Sequence, residues 1–404
     1  MSISDETQIN GPINVLRMEG DVFGIKKVIY IFMDYHLPID HQTRCPNFTS
    51  LDIYQYLAIN LKKSDHPIDF MFEITEEYIG KESYKYKEIY IKEVTDFFKS
   101  EFSKNKSKSN NLVRYHYVDV RDYLFDTINQ YDNTLENIMD NVYANSYWGK
   151  YVFDNILLNL EGIVEELNYW DSLLFGDLRS IPKRTSSNLK RLSEDTNINE
   201  NVKKNIKKVP KFILKIRERY KNKKVHDNFK LMFDYIKKLI KETLQICFDM
   251  VNEITKQGSS SNVGTLTYSK CLGTYFWGDV FCDRIDIVMN LRKKHQELSW
   301  KMLLLFSKMM DIFFLRRFLD KDYITHAIIY TGGAHSITYV QHLITKYNFK
   351  ITHASYSAEK NLSKLNTYLA KFLDPSDVIE YEKMLYPHLL VQCSDLSHFP
   401  KNFS

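Results

Sequence analysis

Near the start of the chain, short runs of apolar residues alternate with segments in which apolar residues recur at the three- and four-residue spacing of a helix. The runs from Val28 to Phe32 and from Ile68 to Phe72 are almost continuously apolar, which predicts two strands buried on both faces of a parallel sheet. Between them, apolar residues on one face predict a helix over about residues 50–63, with Ser50 as its N-cap. This strand–helix–strand order predicts parallel strands joined by a right-handed crossover.

The same alternation returns near the C-terminus. The further elements predicted for the two ends of the chain are strands over residues 113–120, 327–331 and 350–355, and helices over residues 86–102, 336–347 and 358–372. Residues 1–25 are predicted to be a tail or a short leading strand.

The middle of the chain has apolar residues at spacings of three and four, which predicts helices alone. These helices are expected over residues 151–175, 203–255, 279–294 and 298–319. We therefore predict an α/β fold, in which a mostly parallel central sheet is built from both chain ends and carries a large all-helical insertion. The predicted parts are residues 1–125, 126–320 and 321–404. Because the last part is too short to bury a sheet alone, one shared sheet is favoured over two domains divided near residue 130.

Ionisable residues stand where the predicted strands end. Asp34 and His36 end the first strand, Glu73 follows the second, and His335 follows the strand near the C-terminus. Carboxyl ends of parallel strands meet at one edge of a sheet, where ligands bind. Imidazole and carboxylate groups bind Mn, Zn or Mg, and a metal with one open position activates water for hydrolysis. We therefore predict that these four residues are metal ligands, with Asp34 either coordinating the ion or orienting a ligand. We also predict that His36, Glu73 and His335 are catalytic, and that Arg121 stabilises a developing oxyanion.

Further residues are predicted to support this site, namely His41, Asp119, Gly332, Gly333 and Ser336. The two glycines would let the backbone turn tightly, so that His335 faces the crevice. Ser336 is interpreted as a helix N-cap rather than a nucleophile, because the Gly-x-Ser-x-Gly pattern does not surround it. The alternative for each histidine and glutamate is an ordinary surface or hydrogen-bonded structural residue.

An early strand ending in His36, a second strand ending in Glu73, and a late Gly-Gly-Ala-His ending in His335 resemble the Tiki/TraB superfamily, which includes ChaN-type proteins and erythromycin esterases. The resemblance covers residues 26–75 and 325–356, and Met33 stands where the family has glycine. It implies a metal-dependent hydrolase, peptidase-like or esterase-like, that acts on a peptide or small-molecule substrate. The ChaN-type members imply haem or iron binding instead. The chain is rich in Lys, Asn, Ile and Tyr, a composition that is typical of AT-rich coding sequences, and it is similar to uncharacterised proteins of large DNA viruses. A viral member that has lost activity would be a structural or virion component.

Positive charge is concentrated in one segment, although the formal net charge is only +4. Residues 203–224 contain eleven lysines or arginines against one acidic residue, Glu218. The predicted contacts to nucleic acid or another acidic partner are Lys203, Lys204, Lys207, Lys208, Lys211, Lys215, Arg217 and Arg219. The alternative is the solvated face of an amphipathic helix.

Five cysteines without a Cys-x-x-Cys pair predict free thiols in a reducing, intracellular compartment, such as a virus factory or a virion. Residues 1–14 lack the apolar core of a signal peptide. The most apolar stretch, Leu303 to Leu319, contains charged residues and is predicted to be a buried helix. No membrane span is therefore expected.

Overall fold

The computed structural model describes residues 7–74, 89–105, 112–120, 128, 131–140, 150–177, 211–258, 282–389 and 391–404. The chain forms two compact units. The first unit consists of Met1–Val120, Tyr220–Leu231 and Met310–Ser404, and the second of Arg121–Arg219 and Met232–Met309.

The described strands are β1 (Gln8–Asn10), β2 (Asn14–Val22), β3 (Ile25–Asp34), β4 (Leu51–Asp52), β5 (Ile68–Phe72), β6 (Val113–Tyr117), β7 (His326–Gly332), β8 (Lys350–Ala354) and β9 (Cys393–Asp395). The described helices are α1 (Ile53–Leu61), α2 (Tyr90–Asn105), α3 (Lys150–Phe175), α4 (Lys223–Asn228), α5 (Lys230–Gly258), α6 (Cys282–Asp320), α7 (Gly333–Tyr347), α8 (Leu362–Leu369) and α9 (Val378–Leu385). Short 3-10 turns span Ile39–His41, Pro375–Asp377 and Lys401–Phe403, and residues 131–140 and 211–218 are also helical.

A six-stranded sheet forms the centre of the first unit, in the order β6-β5-β7-β3-β2-β8. The neighbours β6, β5, β7 and β3 are parallel, and β2 runs antiparallel to both β3 and β8. The central position of β7, between β5 and β3, shows that the two chain ends share one sheet. The predicted α/β class with a mostly parallel sheet is confirmed.

The register of the parallel strands brings their carboxyl ends to one edge. Asp34 at the end of β3 pairs with Gly332 at the end of β7, and Phe72 at the end of β5 pairs with Tyr330. Strands β5 and β7 are almost wholly buried, as their continuous apolar runs predict.

The N-terminal residues form more structure than predicted. Strand β2 is a nine-residue hairpin partner of β3, and residues 8–10 form β1, so the prediction of a tail or short leading strand is wrong here. The hairpin loop is Phe23-Gly24, and both residues have positive φ, at 54° and 89°. That conformation suits the right-handed twist of a two-residue hairpin. Because β2 mixes polar and apolar residues, the hydropathy pattern did not predict this strand.

Helix α1 begins two residues later than its predicted cap implies. Asp52 is the N-cap and forms a capping box with Gln55, whose side chain accepts from the Asp52 backbone N–H at 3.1 Å. Ser50, the predicted N-cap, instead accepts a hydrogen bond from Asn10 Nδ2 at 3.3 Å.

A second sheet of three short strands has the order β4-β1-β9. Beside it, a disulfide joins Cys45 to Cys393 across 348 residues of sequence. The prediction of free thiols is therefore wrong for these two cysteines, because the pairing of β1 with β9 brings distant segments together. Cys247 is a buried free thiol, and Cys271 lies outside the described residues.

A buried lysine anchors helix α6 to the sheet. Lys27 in β3 is 1% exposed, and its ammonium donates to the carbonyl oxygens of Phe318, Lys321 and Ile324 at 3.0, 2.7 and 2.5 Å. Burial lowers the pKa of Lys27 to about 8, although the carboxylates of Asp322, Asp69 and Asp320 oppose the decrease.

The described residues of the second unit are helical, as predicted for the middle of the chain. Buried Trp170 in α3 packs edge-on against Phe306 in α6, and its indole N–H donates to Glu166 at 2.7 Å. No helix in the described ranges is long and apolar enough to cross a membrane.

Two predicted helix boundaries are wrong. Residues 282–320 form one continuous helix, not two, and the helix predicted over residues 203–255 is interrupted between residue 218 and Lys223. At the interruption, the carboxylate of Asp320 accepts from the backbone N–H groups of Lys221 and Asn222 at 2.8 Å. Residues 178–210 and 259–281 lie outside the described residues.

Candidate functional site

Three strand ends bring His36, Glu73 and His335 together at the carboxyl edge of the central sheet. His36 Nε2 lies 3.3 Å from Glu73 Oε2, and His335 Nε2 lies 3.5 Å from Glu73 Oε1. One carboxylate therefore stands between two imidazole rings that come from opposite ends of the chain.

An aspartate contacts Nδ1 of each of the two histidines. Asp34 Oδ2 lies 2.6 Å from Nδ1 of His36, and Asp311 Oδ1 lies 2.6 Å from Nδ1 of His335. Both aspartates are almost completely buried. The resulting arrangement has the same pattern on each side, with an aspartate on Nδ1 and the shared glutamate at Nε2.

Sequence reasoning missed Asp311. It lies in α6, within the run Met309-Met310-Asp311-Ile312-Phe313. In the sequence, this carboxylate served only to indicate that the apolar stretch does not span a membrane. The same feature is a signal for a buried partner, because an ionisable group inside an apolar helix needs one.

Glu73 is positioned by the end of the neighbouring strand. Its Oε2 accepts from the Thr331 hydroxyl at 2.7 Å and from the Gly332 backbone N–H at 2.6 Å. Both donors belong to the last two residues of β7, directly before α7. Because His335 lies in the first turn of α7, one short segment positions two of the three central residues.

His36 has an unusual backbone conformation. Its φ is 53°, in the left-handed region that non-glycine residues seldom adopt. The Asp34 carboxylate accepts from the His36 backbone N–H at 3.2 Å as well as contacting the ring. Such strain persists where the surroundings impose it, and it concentrates at functional sites. Met33, the departure from the Tiki/TraB pattern, is fully buried inside β3.

The two glycines are required for space rather than for a special φ, contrary to the prediction. Gly332 has φ −57° and serves as the N-cap of α7. A Cβ atom at Gly332 would lie 2.9 Å from His36 Nε2 and 3.4 Å from Glu73 Oε2. A Cβ atom at Gly333 would overlap the hydroxyl of Tyr386. Any side chain at these positions would therefore disturb the site.

Burial and neighbouring charge act in opposite directions on His36. Burial lowers its pKa, but the carboxylates of Glu73 and Asp34 outweigh that effect and raise the pKa to about 10. With only these groups around it, the ring carries a positive charge at neutral pH.

The distances from Glu73 to the two imidazole rings are relevant to whether a metal ion could bind here. Within the described ranges, no three or more histidine, cysteine or acidic side chains form a ready metal-binding group. The separations of 3.3 and 3.5 Å between imidazole nitrogen and carboxylate oxygen nevertheless match the spacing of about 3.3–3.6 Å between two ligands of one tetrahedral ion. A metal bound by all three side chains would require them to move and His36 Nε2 to lose its proton.

The other predicted supporting residues have different surroundings. His41 is not part of this cluster: its side chain is 70% exposed and lies 3.9 Å from Asp40. Asp119 is half-buried beyond the end of β6, and Arg121 lies outside the described residues. Ser336 is fully buried in the first turns of α7, so its prediction as N-cap is wrong, because the helix begins at Gly333.

The basic segment is described only in part, since Lys203, Lys204, Lys207 and Lys208 lie outside the described residues. Lys211 and Arg219 are exposed, and Lys215 is half-buried. The guanidinium of Arg217 donates to the carbonyl oxygens of Leu173 and Gly176 at 2.7 and 2.6 Å. Arg217 therefore caps the C-terminal end of α3, and its contact to nucleic acid stays a prediction.

Comparison with known proteins gives the family of the chain but no activity. The relatives include the uncharacterized protein R161 of Acanthamoeba polyphaga mimivirus, 33% identical over 98% of both chains. The uncharacterized protein R706 of the same virus is 31% identical over 98% of this chain and 96% of its own. These relatives support the predicted viral origin and leave the resemblance to the Tiki/TraB superfamily as a prediction. No solved structure matches the chain. A family model matches residues 7–404, and the chain therefore belongs to this family of unknown function, DUF5847.

Proposed function

We propose that the chain is a metal-dependent hydrolase whose divalent ion is bound by His36, Glu73 and His335. The observation that carries this proposal is the paired arrangement of the two imidazoles, each with Nδ1 on an aspartate and Nε2 beside Glu73. Histidine ligands of metals usually donate their other ring N–H to a carboxylate, which fixes the tautomer and orients the ring.

Each residue of the proposed site would have a distinct role. Asp34 and Asp311 hold Nδ1–H, so that each Nε2 lone pair points toward Glu73. Of the two roles expected for Asp34, coordinating the ion or orienting a ligand, the contact with Nδ1 of His36 supports orienting. Thr331 and Gly332 hold Glu73 in place. His36, Glu73 and His335 would hold the ion through three protein ligands, and an ion with one open position would supply activation of a water for hydrolysis.

Zinc fits this ligand set best, because two imidazoles and one carboxylate are a common catalytic zinc environment. Manganese or magnesium is the alternative for a site rich in carboxylate. The finer assignment to a Tiki/TraB-like peptidase or esterase rests on the matching of His36, Glu73 and His335 alone. Under that resemblance, haem or iron binding of the ChaN type is the other candidate.

Two further predictions stay proposals. An inactive structural or virion role would use the exposed part of the basic segment, such as Lys211, for an acidic partner. A location in the virus factory or the virion is also proposed, and its only support is the viral origin of the relatives.

The test is metal titration of the purified full chain after treatment with a chelator. We expect one equivalent of Zn²⁺ or Mn²⁺ to bind by calorimetry, and His335→Ala to weaken binding at least tenfold. The matched control is His41→Ala, which removes an exposed histidine outside the cluster. Loaded protein is then assayed with casein and with p-nitrophenyl acetate. Equal metal binding by wild type and His335→Ala, or no binding by either, would refute the proposed site.

A further inference from the structure

The hydroxyl of Tyr386 lies against the first residue of α7. A Cβ atom at Gly333 would overlap this hydroxyl and would lie 2.9 Å from the ring carbon Cζ that bears it. The preceding residue, Gly332, approaches His36 Nε2 and Glu73 Oε2 in the same way. Adjacent glycines therefore face the His36–Glu73 pair and the Tyr386 phenol, which places this phenol beside the candidate site.

Two sets of hydrogen bonds fix the position of Tyr386. Its backbone N–H donates to the Glu382 carbonyl at 2.8 Å and so ends helix α9. The carbonyl of Leu385, the residue before it, accepts from Asn14 Nδ2 at 2.7 Å. Asn14 is fully buried and pairs with Met33 next to the end of β3. The segment that carries Tyr386 is thus attached to the same sheet edge as His36.

The phenol is a hydrogen-bond donor at any working pH. Burial raises the pKa of Tyr386, and the nearby Glu382 and Tyr35 raise it further. Tyr386 is half-buried, and Tyr35 is 43% exposed. A neutral phenol held at the margin of a site can donate to an oxygen of a bound molecule without changing its own charge.

We propose that the Tyr386 hydroxyl donates a hydrogen bond to the carbonyl-type oxygen of a substrate bound at the His36–Glu73–His335 cluster. This inference rests on the proposed hydrolase function. A fixed donor aimed at an oxygen that gains negative charge is the arrangement that stabilises acyl-transfer transition states. The alternative role is packing, in which the phenol only fills the space that Gly333 leaves open.

The test uses the full chain loaded with the ion that binds in the titrations above, and acetohydroxamic acid as the probe. This probe chelates a metal through its hydroxamate oxygen and its carbonyl oxygen, and the metal-bound carbonyl oxygen can still accept a hydrogen bond from a neighbouring donor. We expect Tyr386→Phe to leave metal affinity unchanged and to weaken acetohydroxamate binding about fivefold to tenfold, as for one lost hydrogen bond. The control is Tyr381→Phe in helix α9, which Tyr386 directly follows. The Tyr381 hydroxyl donates to the Leu369 carbonyl, and its loss should not alter probe binding.

The outcomes separate the two proposals. Absence of metal binding by the wild-type protein overturns the proposed function, and this inference with it. Metal binding with equal probe affinity in wild type and Tyr386→Phe overturns the inference alone. Failure of the loaded wild-type protein to bind the probe also overturns it, because the phenol would then face no bound oxygen. If p-nitrophenyl acetate is hydrolysed, Tyr386→Phe should lower kcat/KM by a similar factor, whereas a packing role leaves it unchanged.

Discussion

Asp311 and His335 are joined by a 2.6 Å contact between carboxylate Oδ1 and ring Nδ1, both more than nine-tenths buried. The pair connects the last turns of helix α6 to the first turn of α7. It fixes the imidazole so that Nε2 faces Glu73, and it gives His335 the same kind of support that Asp34 gives His36.

Replacing this supporting carboxylate should weaken metal binding although no proposed ligand is lost. We expect Asp311→Asn to lower the affinity for Zn²⁺ by about tenfold to a hundredfold, because the amide no longer enforces the tautomer of His335. Isothermal titration calorimetry measures this change. Asp65→Asn, at an exposed carboxylate, is the control and should bind as the wild type does. An unchanged affinity in Asp311→Asn would contradict the proposed role of the Asp311 carboxylate in orienting His335.

Adding a single methyl group at Gly332 should disable the site. The new Cβ would lie 2.9 Å from His36 Nε2, so the ring must move away from Glu73. We expect Gly332→Ala to abolish measurable Zn²⁺ binding and to reduce the free energy of unfolding by about 1–3 kcal/mol. Urea unfolding and calorimetry report the two effects. Ala334→Ser, at an exposed position of the same turn, should change neither quantity.

A second buried histidine should make the protein sensitive to acid. His342 stacks on Phe229 with ring centroids 4.8 Å apart. Burial, with a smaller contribution from Lys346 and against the effect of Asp311, lowers its pKa to about 3. Below the ordinary pKa of about 6.5, the unfolded chain binds a proton that the folded chain refuses, so stability falls as the pH drops from 6.5 toward 3.

The loss attributable to His342 should reach at most about 1.4 kcal/mol per pH unit over this range. Urea unfolding of wild type and His342→Gln at pH 7.5, 5.5 and 4.5 separates this contribution from other titrating groups. We expect the variant to lose less stability on acidification, whatever its stability at pH 7.5. Parallel pH profiles for the two proteins would contradict the assignment.

Reduction of the Cys45–Cys393 disulfide should destabilise the first unit. The crosslink joins segments 348 residues apart and restricts the unfolded chain. We expect a reductant to lower the free energy of unfolding by about 2–4 kcal/mol. Cys45→Ser should be insensitive to reductant. Mass spectrometry after alkylation without reductant tests the bond directly, and modification of both cysteines in the folded, unreduced protein would show that it is absent.

The local pattern of apolar and polar residues was sufficient to predict most strands and helices of the α/β core. Strand β5 begins and ends at the predicted residues, and helices α3 and α7 share their C-terminal limits with the prediction. Continuous apolar runs and helical spacing are strong signals because burial acts on every residue of the element. The boundaries failed at Asp52, Gly333 and the Phe23-Gly24 turn. There a capping group, a close approach or a positive φ decided the conformation, and none of these alters hydropathy.

The amino-acid sequence by itself determined the parallel strands of the sheet, the placement of His36, Glu73 and His335 at strand ends, and the helical character of the middle of the chain. Only the tertiary structure decided that β2 joins the sheet, that Asp311 supports His335, that Gly332 and Gly333 are required for space, and that Cys45 meets Cys393. The physical reason is the range of the interactions. Periodicity records which face of an element is buried, whereas a hydrogen bond, a clash or a disulfide depends on which distant residue the fold places opposite.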